Sequence, residues 1–237
     1  MSNKIFFYCS DISGSEIILS EEESKHCIRV LRLKKNETMY LVDGKGTLCR
    51  VILQDPDIKK TRVKIVETIP GYRKRIHYLH IAIAPTKNTE RFEWFLEKVT
   101  EIGIDEITPL ICTRSERKVI NVKRAERILI SAMKQSQRAY LPRLNPVKTY
   151  EDIFDGKNAK SKIITHCNLK NLRLLRDGLL NESPALILIG PEGDFTTQEV
   201  EMAVRNGFIE ASLGPYIYRS ETAGVMACHE FNLFFQQ

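Results

Sequence analysis

The sequence predicts two folds in succession: a small, mainly β domain over residues 1–72, then an α/β domain with a mostly parallel sheet over residues 73–237. Three observations predict it. Short runs with period-two alternation and tight turns fill the chain up to Pro70-Gly71, a natural boundary. From about residue 76 the rhythm changes to strand, helix, strand, helix, the pattern of a parallel sheet with helical crossovers. The closing segment, roughly 222–235, is apolar nearly all round, as a buried helix should be.

The first domain opens with Ile17-Ile18-Leu19 as a strand. Ser20-Glu21-Glu22-Glu23 is then a capping box that should start a short helix carrying Lys25, His26, Arg29 and Arg32. Thr38–Val42 and Leu48–Leu53 read as strands joined at Asp43-Gly44, and Arg62–Glu67 alternates polar and apolar. Short strands, tight turns and one helix suggest a small barrel.

In the second domain the strand candidates are Tyr78–Ala84, Glu106–Cys112, Lys162–Cys167, Ala185–Gly190 and Ile209–Leu213. Phe92, Phe95, Leu96, Val99 and Ile102 mark one face of a helix between the first two. A second helix is expected from an Asn121 cap to Tyr140, before Pro142, and a third from the capping box Thr196-Thr197-Gln198-Glu199 to Gly207.

Composition is that of an ordinary globular protein, with 43% hydrophobic and 28% charged residues. No apolar run approaches the roughly 18 residues of a membrane span. The N-terminus lacks a signal-peptide pattern, so no membrane association and a cytoplasmic location are expected. Six cysteines are scattered without a Cys-x-x-Cys pair. Three adjoin a histidine (His26-Cys27, His166-Cys167, Cys228-His229), but neighbours in a strand point to opposite faces, and no metal is expected. Basic residues concentrate in two regions. Residues 1–75 hold 15 Lys/Arg against 10 Asp/Glu, and residues 114–148 hold 10 against 2, as contacts for a polyanion would. In the second region Arg124, Arg127, Lys134 and Arg138, with Ser131 between, follow three- and four-residue spacing, an expected stripe of like charge that an anion would relieve.

Ligands of open α/β sheets bind beyond the carboxyl ends of the strands. Three such ends are polar or glycine-marked: Thr165-His166-Cys167-Asn168, Leu188 through Phe195, and Leu213 through Gly224. Two Gly-Pro steps, Gly190-Pro191 and Gly214-Pro215, each follow an apolar strand directly. There is no G-x-G-x-x-G after a strand, no P-loop and no G-x-S-x-G, so dinucleotide binding, P-loop chemistry and esterase chemistry are disfavoured.

Leu188-Ile189-Gly190-Pro191-Glu192-Gly193-Asp194-Phe195, with Glu199, Leu213-Gly214 and Arg219-Ser220-Glu221-Thr222-Ala223, resembles the C-terminal signature of the RsmE family of ribosomal RNA small-subunit methyltransferases, members of the SPOUT superfamily. His26 through Arg32 resembles that family's H-x-x-x-V-L-R element. Lys87 through Gly103 and Met133 through Arg138 resemble further segments, so the likeness runs in order along nearly the whole chain. It implies a PUA-like β-barrel for RNA, a C-terminal α/β trefoil knot, S-adenosylmethionine as methyl donor, and a homodimer that methylates N3 of a uridine in 16S ribosomal RNA of the small subunit. It further implies that His166, Leu188, Ile189, Gly190, Pro191, Glu192, Gly193, Leu213, Gly214, Tyr218, Thr222 and Ala223 surround the donor. Three residues depart from the family pattern: Asp194 where a second glycine is frequent, Tyr216 where arginine is common, and Lys134 in place of an acid.

For the reaction so implied, Arg219 is the candidate to stabilise an N3 anion and Glu221 the candidate base, with Glu192 an alternative. Glu221 is equally readable as an acid favoured by a helix N-terminus. His26, Arg29, Arg32 and the four basic residues of 124–138 are the candidate RNA contacts. Competing readings are a non-catalytic RNA-binding ribosome-assembly factor on the same fold, and a SPOUT methyltransferase acting on another RNA.

Overall fold

The computed structural model describes residues 4–154, 159–167, 173–179 and 183–235; Asn168, named above, lies outside them. The chain divides into two compact units. The first comprises Met1–Lys74 with Ile130–Leu141, the second Arg75–Leu129 with Pro142–Gln237.

The first unit is built on β1 (Phe6–Tyr8), β2 (Glu16–Ile18), β3 (Thr38–Val42), β4 (Leu48–Asp55) and β5 (Arg62–Ile69). They form one sheet in the order β1-β3-β4-β5-β2, with β1 parallel to β3 and the other pairs antiparallel. Alternation works as expected. Phe7, Met39, Leu41, Cys49, Val51, Leu53 and Val63 fall on one face and form a core with Leu19 and Cys27. Phe6, Val42 and Leu48 are also buried, and it is the returning segment that covers them, through Met133 and Ala139.

Helix α1 (Glu21–Lys25) is capped by Ser20, whose hydroxyl accepts from Glu23 N at 3.2 Å. It is only five residues long and passes into a π-helical turn, His26–Val30, after which Arg32 sits at φ +54°. Arg29 is therefore exposed on a wide turn, and Arg32 lies beyond any helix.

The second unit has the expected α/β architecture. In chain order it contains β6 (Leu79–Ile83), α2 (Thr89–Ile102), β7 (Glu106–Ile111), the part of α3 (Val122–Gln135) up to Leu129, β8 (Arg143–Leu144), β9 (Lys148–Thr149) and β10 (Ser161–Thr165). There follow β11 (Arg173–Leu174), α4 (Leu175–Gly178), β12 (Ala185–Ile189), α5 (Thr197–Arg205), β13 (Ile209–Ser212) and α6 (Ser220–Phe234). Among the described residues every pair in this sheet is parallel, in the order β11-β13-β10-β12-β6-β7-β8 with β9 also on β7. The central strands β6 and β12 are buried at every residue, which is why they read as apolar runs, broken only by His80 in β6.

Helix α3 is shorter than the 121–140 helix expected. Asn121 caps it, accepting from Arg124 N at 3.1 Å. Its C-terminus closes with Arg138 N donating to Met133 O and Gln137 N to Lys134 O, both within 3.1 Å. Gln137 holds the left-handed position of this Schellman turn, at φ +56°. Arg138 is thereby past the turn and off the helical stripe.

Helix α6 starts two residues earlier than expected, with Arg219 as its N-cap. It packs on α2 along Glu221, Gly224 and Cys228, which meet Arg91, Phe95 and Val99. A Cβ at Gly224 would lie 2.5 Å from the Phe95 ring and 3.0 Å from Ile83, so only glycine lets the two helices approach this closely. Asn232 Nδ2 donates to Gly103 O at 2.9 Å and fastens the other end.

Candidate active site

A cavity of about 220 Å³ lies at the carboxyl ends of β10, β12 and β13. Three loops wall it: Thr165–Cys167, Ile189–Asp194, and Ser212 through Ser220 with Ala223 of α6. The strands bring these loops together because β12 and β13 both pair with β10, setting Thr165 opposite Ile189 on one side and Ala211 on the other. Apolar Ile189, Leu213, Ile217 and Ala223 share the wall with polar backbone and with His166, Glu192, Asp194 and Arg219. Gly214 turns the third loop at φ +126°, a conformation closed to side chains, and a Cβ there would meet nothing nearer than 3.8 Å.

Side chains lock the loops. Thr165 Oγ1 donates to Leu188 O at 3.0 Å, and Cys167 N donates to Asp194 Oδ2 at 2.8 Å. His166, buried, sets Nε2 3.1 Å from Glu210 Oε1. Glu192 Oε1 accepts from Lys87 N at 2.8 Å, so this acid holds the loop after β6. Arg114 donates to Gly193 O at 2.7 Å. Glu199 completes the capping box of α5 and accepts from Thr113 N at 2.8 Å, so its part in the sequence signature is to hold a neighbouring loop. Partial burial of the sulfur, with Asp194 beside it, pushes the Cys167 thiol upward.

Of the residues singled out from sequence, His166, Ile189, Gly190, Pro191, Glu192, Leu213, Gly214, Tyr218, Arg219 and Ala223 line the cavity. Leu188 is inside the strand, Gly193 abuts Arg114, and Thr222 faces elsewhere. Glu221 is also off the wall: it is buried, with Oε1 3.7 Å from Arg91 Nε and Oε2 without a hydrogen-bond partner. Helical geometry explains the split, since residues 219, 220 and 223 share a face from which 221 and 222 are turned away. Thr165, Cys167, Ile217 and Ser220 also line the cavity; they lie in the strand-end segments marked from sequence, which single out no individual role for them, and Ser212 joins them one residue ahead of Leu213.

The candidate RNA contacts are more dispersed. Arg29, Arg32 and Arg127 are not buried, and His26 is half-buried beside Phe7 with Nδ1 lacking a partner. Arg124 donates to Glu93 at 2.7 Å. Lys134 is ion-paired with buried Glu23 and its side chain is 19% exposed. Among the described residues no group of three or more His, Cys, Asp or Glu is placed to hold a metal, and no helix is long and apolar enough to cross a membrane.

Comparison with known proteins agrees with this architecture. Residues 73–232 match the RNA methyltransferase domain family, and residues 19–66 match the RNA methyltransferase PUA domain. Ribosomal RNA small subunit methyltransferase E of Mesomycoplasma hyopneumoniae is 30% identical over 225 residues, covering 92% of this chain and 95% of that one. A crystal structure described as a probable rRNA-methyltransferase from Porphyromonas gingivalis superposes with a TM-score of 0.91 at 36% identity, over 97% of this chain and 98% of the other. Ribosomal RNA small subunit methyltransferase E from Neisseria gonorrhoeae, solved bound to S-adenosylmethionine, superposes with a TM-score of 0.86 at 25% identity, over 95% of each chain. With a PUA domain ahead of a parallel α/β domain and a loop-walled cavity at its strand ends, the chain belongs to the ribosomal RNA small subunit methyltransferase E family of RNA methyltransferases.

Proposed function

We propose that the protein transfers a methyl group from S-adenosylmethionine to N3 of a uridine in small-subunit (16S) ribosomal RNA. The observation that carries this reading is the cavity. Three parallel strands end in loops that offer apolar Ile189, Leu213, Ile217 and Ala223 beside polar backbone, surroundings suited to a nucleoside with a charged tail. The donor named for the Neisseria relative fits these residues. The chemistry it supplies is an already activated methyl, so the protein's part is orientation and charge.

Neutral uridine carries a proton at N3 and must lose it, to solvent water, to become nucleophilic. Arg219 is the one lysine or arginine on the cavity wall among the described residues, and its cation would stabilise the anion. Glu221, paired with Arg91 behind α6, holds that helix start in place rather than reaching substrate. Glu192, bonded to Lys87 N, shapes the loop it sits on.

RNA is held by phosphate contacts from Arg29, Arg32, Arg124, Arg127 and Arg138, and His26 is a further candidate contact. Two further features belong to the same reading. The order β13-β10-β12 supports threading of the C-terminal loops as a trefoil knot, and residues 1–72 and 73–237 act as RNA-binding and methyltransferase domains. The outward side of α6, where Leu233 is 48% exposed, supports a homodimer. A ribosomal substrate fits a cytoplasmic location.

Arg219→Ala tests the assignment: methyl transfer should fall by about 10²–10³-fold while donor affinity stays unchanged. A fully active variant refutes it. Tight binding of the subunit with no transfer by the unaltered protein would favour the assembly-factor reading.

A further inference from the structure

We propose that Asp194 is a positioning residue of the donor cavity, its carboxylate tying the loop after β10 to the loop after β12. The two loops leave the same end of the sheet, because β10 and β12 pair in parallel up to Thr165 and Ile189. Beyond that register the backbone ladder ends. Cys167 N then donates to Asp194 Oδ2 at 2.8 Å, and Phe195 N donates to Oδ1 of the same carboxylate at 2.8 Å. Asp194 N closes the turn under Glu192 by donating to Pro191 O at 2.9 Å. Phe195 is buried against Tyr150, so the carboxylate is anchored in the core on one side and grips the 165–167 loop on the other. Both loops line the cavity, and both bonds are charge-assisted.

The backbone at this position works against the residue. Asp194 sits at φ +60°, where glycine is unstrained and other residues are disfavoured. Glycine, frequent here in the family pattern, would relieve that strain and forfeit both bonds. Stability and donor affinity should therefore respond differently to the same substitution, which a merely structural residue would not produce.

The proposal rests on the reading that the cavity binds S-adenosylmethionine. Calorimetric titration with S-adenosylmethionine, hydrogen exchange at the Cys167 amide and thermal unfolding are compared for the unaltered protein, Asp194→Gly and Asp194→Asn. Asp194→Gly should weaken donor binding about tenfold, the loss of a charged hydrogen bond. It should also speed Cys167 exchange, while the unfolding midpoint falls by less than the two lost bonds alone would cause, because relief of the left-handed strain offsets part of the loss. Donor KM should rise with it, while kcat at saturating donor stays within about twofold. Asp194→Asn tolerates the left-handed backbone and keeps one acceptor, so it should fall between. Donor affinity unchanged in Asp194→Gly, or lost only in step with stability, overturns this proposal alone. An unaltered protein that binds no donor overturns the donor reading and this proposal with it.

Discussion

Replacing Lys134 by methionine removes the cation that answers a buried carboxylate. Glu23 has a side chain 7% exposed, its Oε1 meets Lys134 Nζ, and its Oε2 has no other partner. Loss of one member of such a pair leaves an uncompensated buried charge and costs about 3–5 kcal/mol. With a urea slope of about 2 kcal/mol per molar, the unfolding midpoint should drop by roughly 1.5–2.5 M. The double variant Glu23→Met/Lys134→Met removes both charges, and apolar replacement of a buried pair is commonly neutral or stabilising, so its midpoint should return to that of the unaltered protein. Urea unfolding followed by circular dichroism reads all three. A second readout concerns function: because Lys134 is spent on Glu23, the double variant should keep the salt dependence of RNA affinity. A Lys134→Met variant as stable as the parent, or a double variant with a shallower salt slope, would refute the reasoning.

Arg29→Ala/Arg32→Ala should weaken RNA binding and reduce the slope of log affinity against log salt by about 1.5, since each phosphate neutralised adds roughly 0.7–0.9 to it; filter binding across a salt series checks this, and an unchanged slope removes both residues from the interface. Glu230 is raised by burial, and its Oε2 is without a partner. A raised carboxyl pKa means the folded state holds its proton longer than the unfolded chain. Stability from this group is therefore full below the ordinary value of 4.5 and is lost as pH rises through the folded value. Glu230→Gln should abolish that decline and raise the thermal midpoint at neutral pH; a variant that tracks the parent across the range contradicts it.

Much of the second unit was legible because its signals are local. The face Phe92, Phe95, Leu96 and Val99 of α2 is buried as its spacing says, and β6 and β12 announce burial on both faces by their nearly unbroken apolar runs. Three features were not legible. Met133 and Ala139 cover the sheet of the first unit, yet helical periodicity shows only that a face is apolar, never what it meets. Helix α3 stops at Gln135 because Gln137 occupies the left-handed position where a glycine would have marked the end. Lys134 finds its acid 111 residues away, so the apparent cationic stripe is partly neutralised by a contact no spacing rule contains. In the site, glycines and Gly-Pro steps mark the strand ends at which the cavity lies. The helical turn of α6 then decided which residues of the 219–223 run face the cavity, and Glu221, packed against α2, does not.

The most direct test offers labelled S-adenosylmethionine and small ribosomal subunits from cells lacking this gene to the purified protein, followed by identification of the modified nucleoside. The account predicts label in N3-methyluridine at a single site of the 16S RNA. Label in another nucleoside, or no transfer despite tight subunit binding, would contradict it.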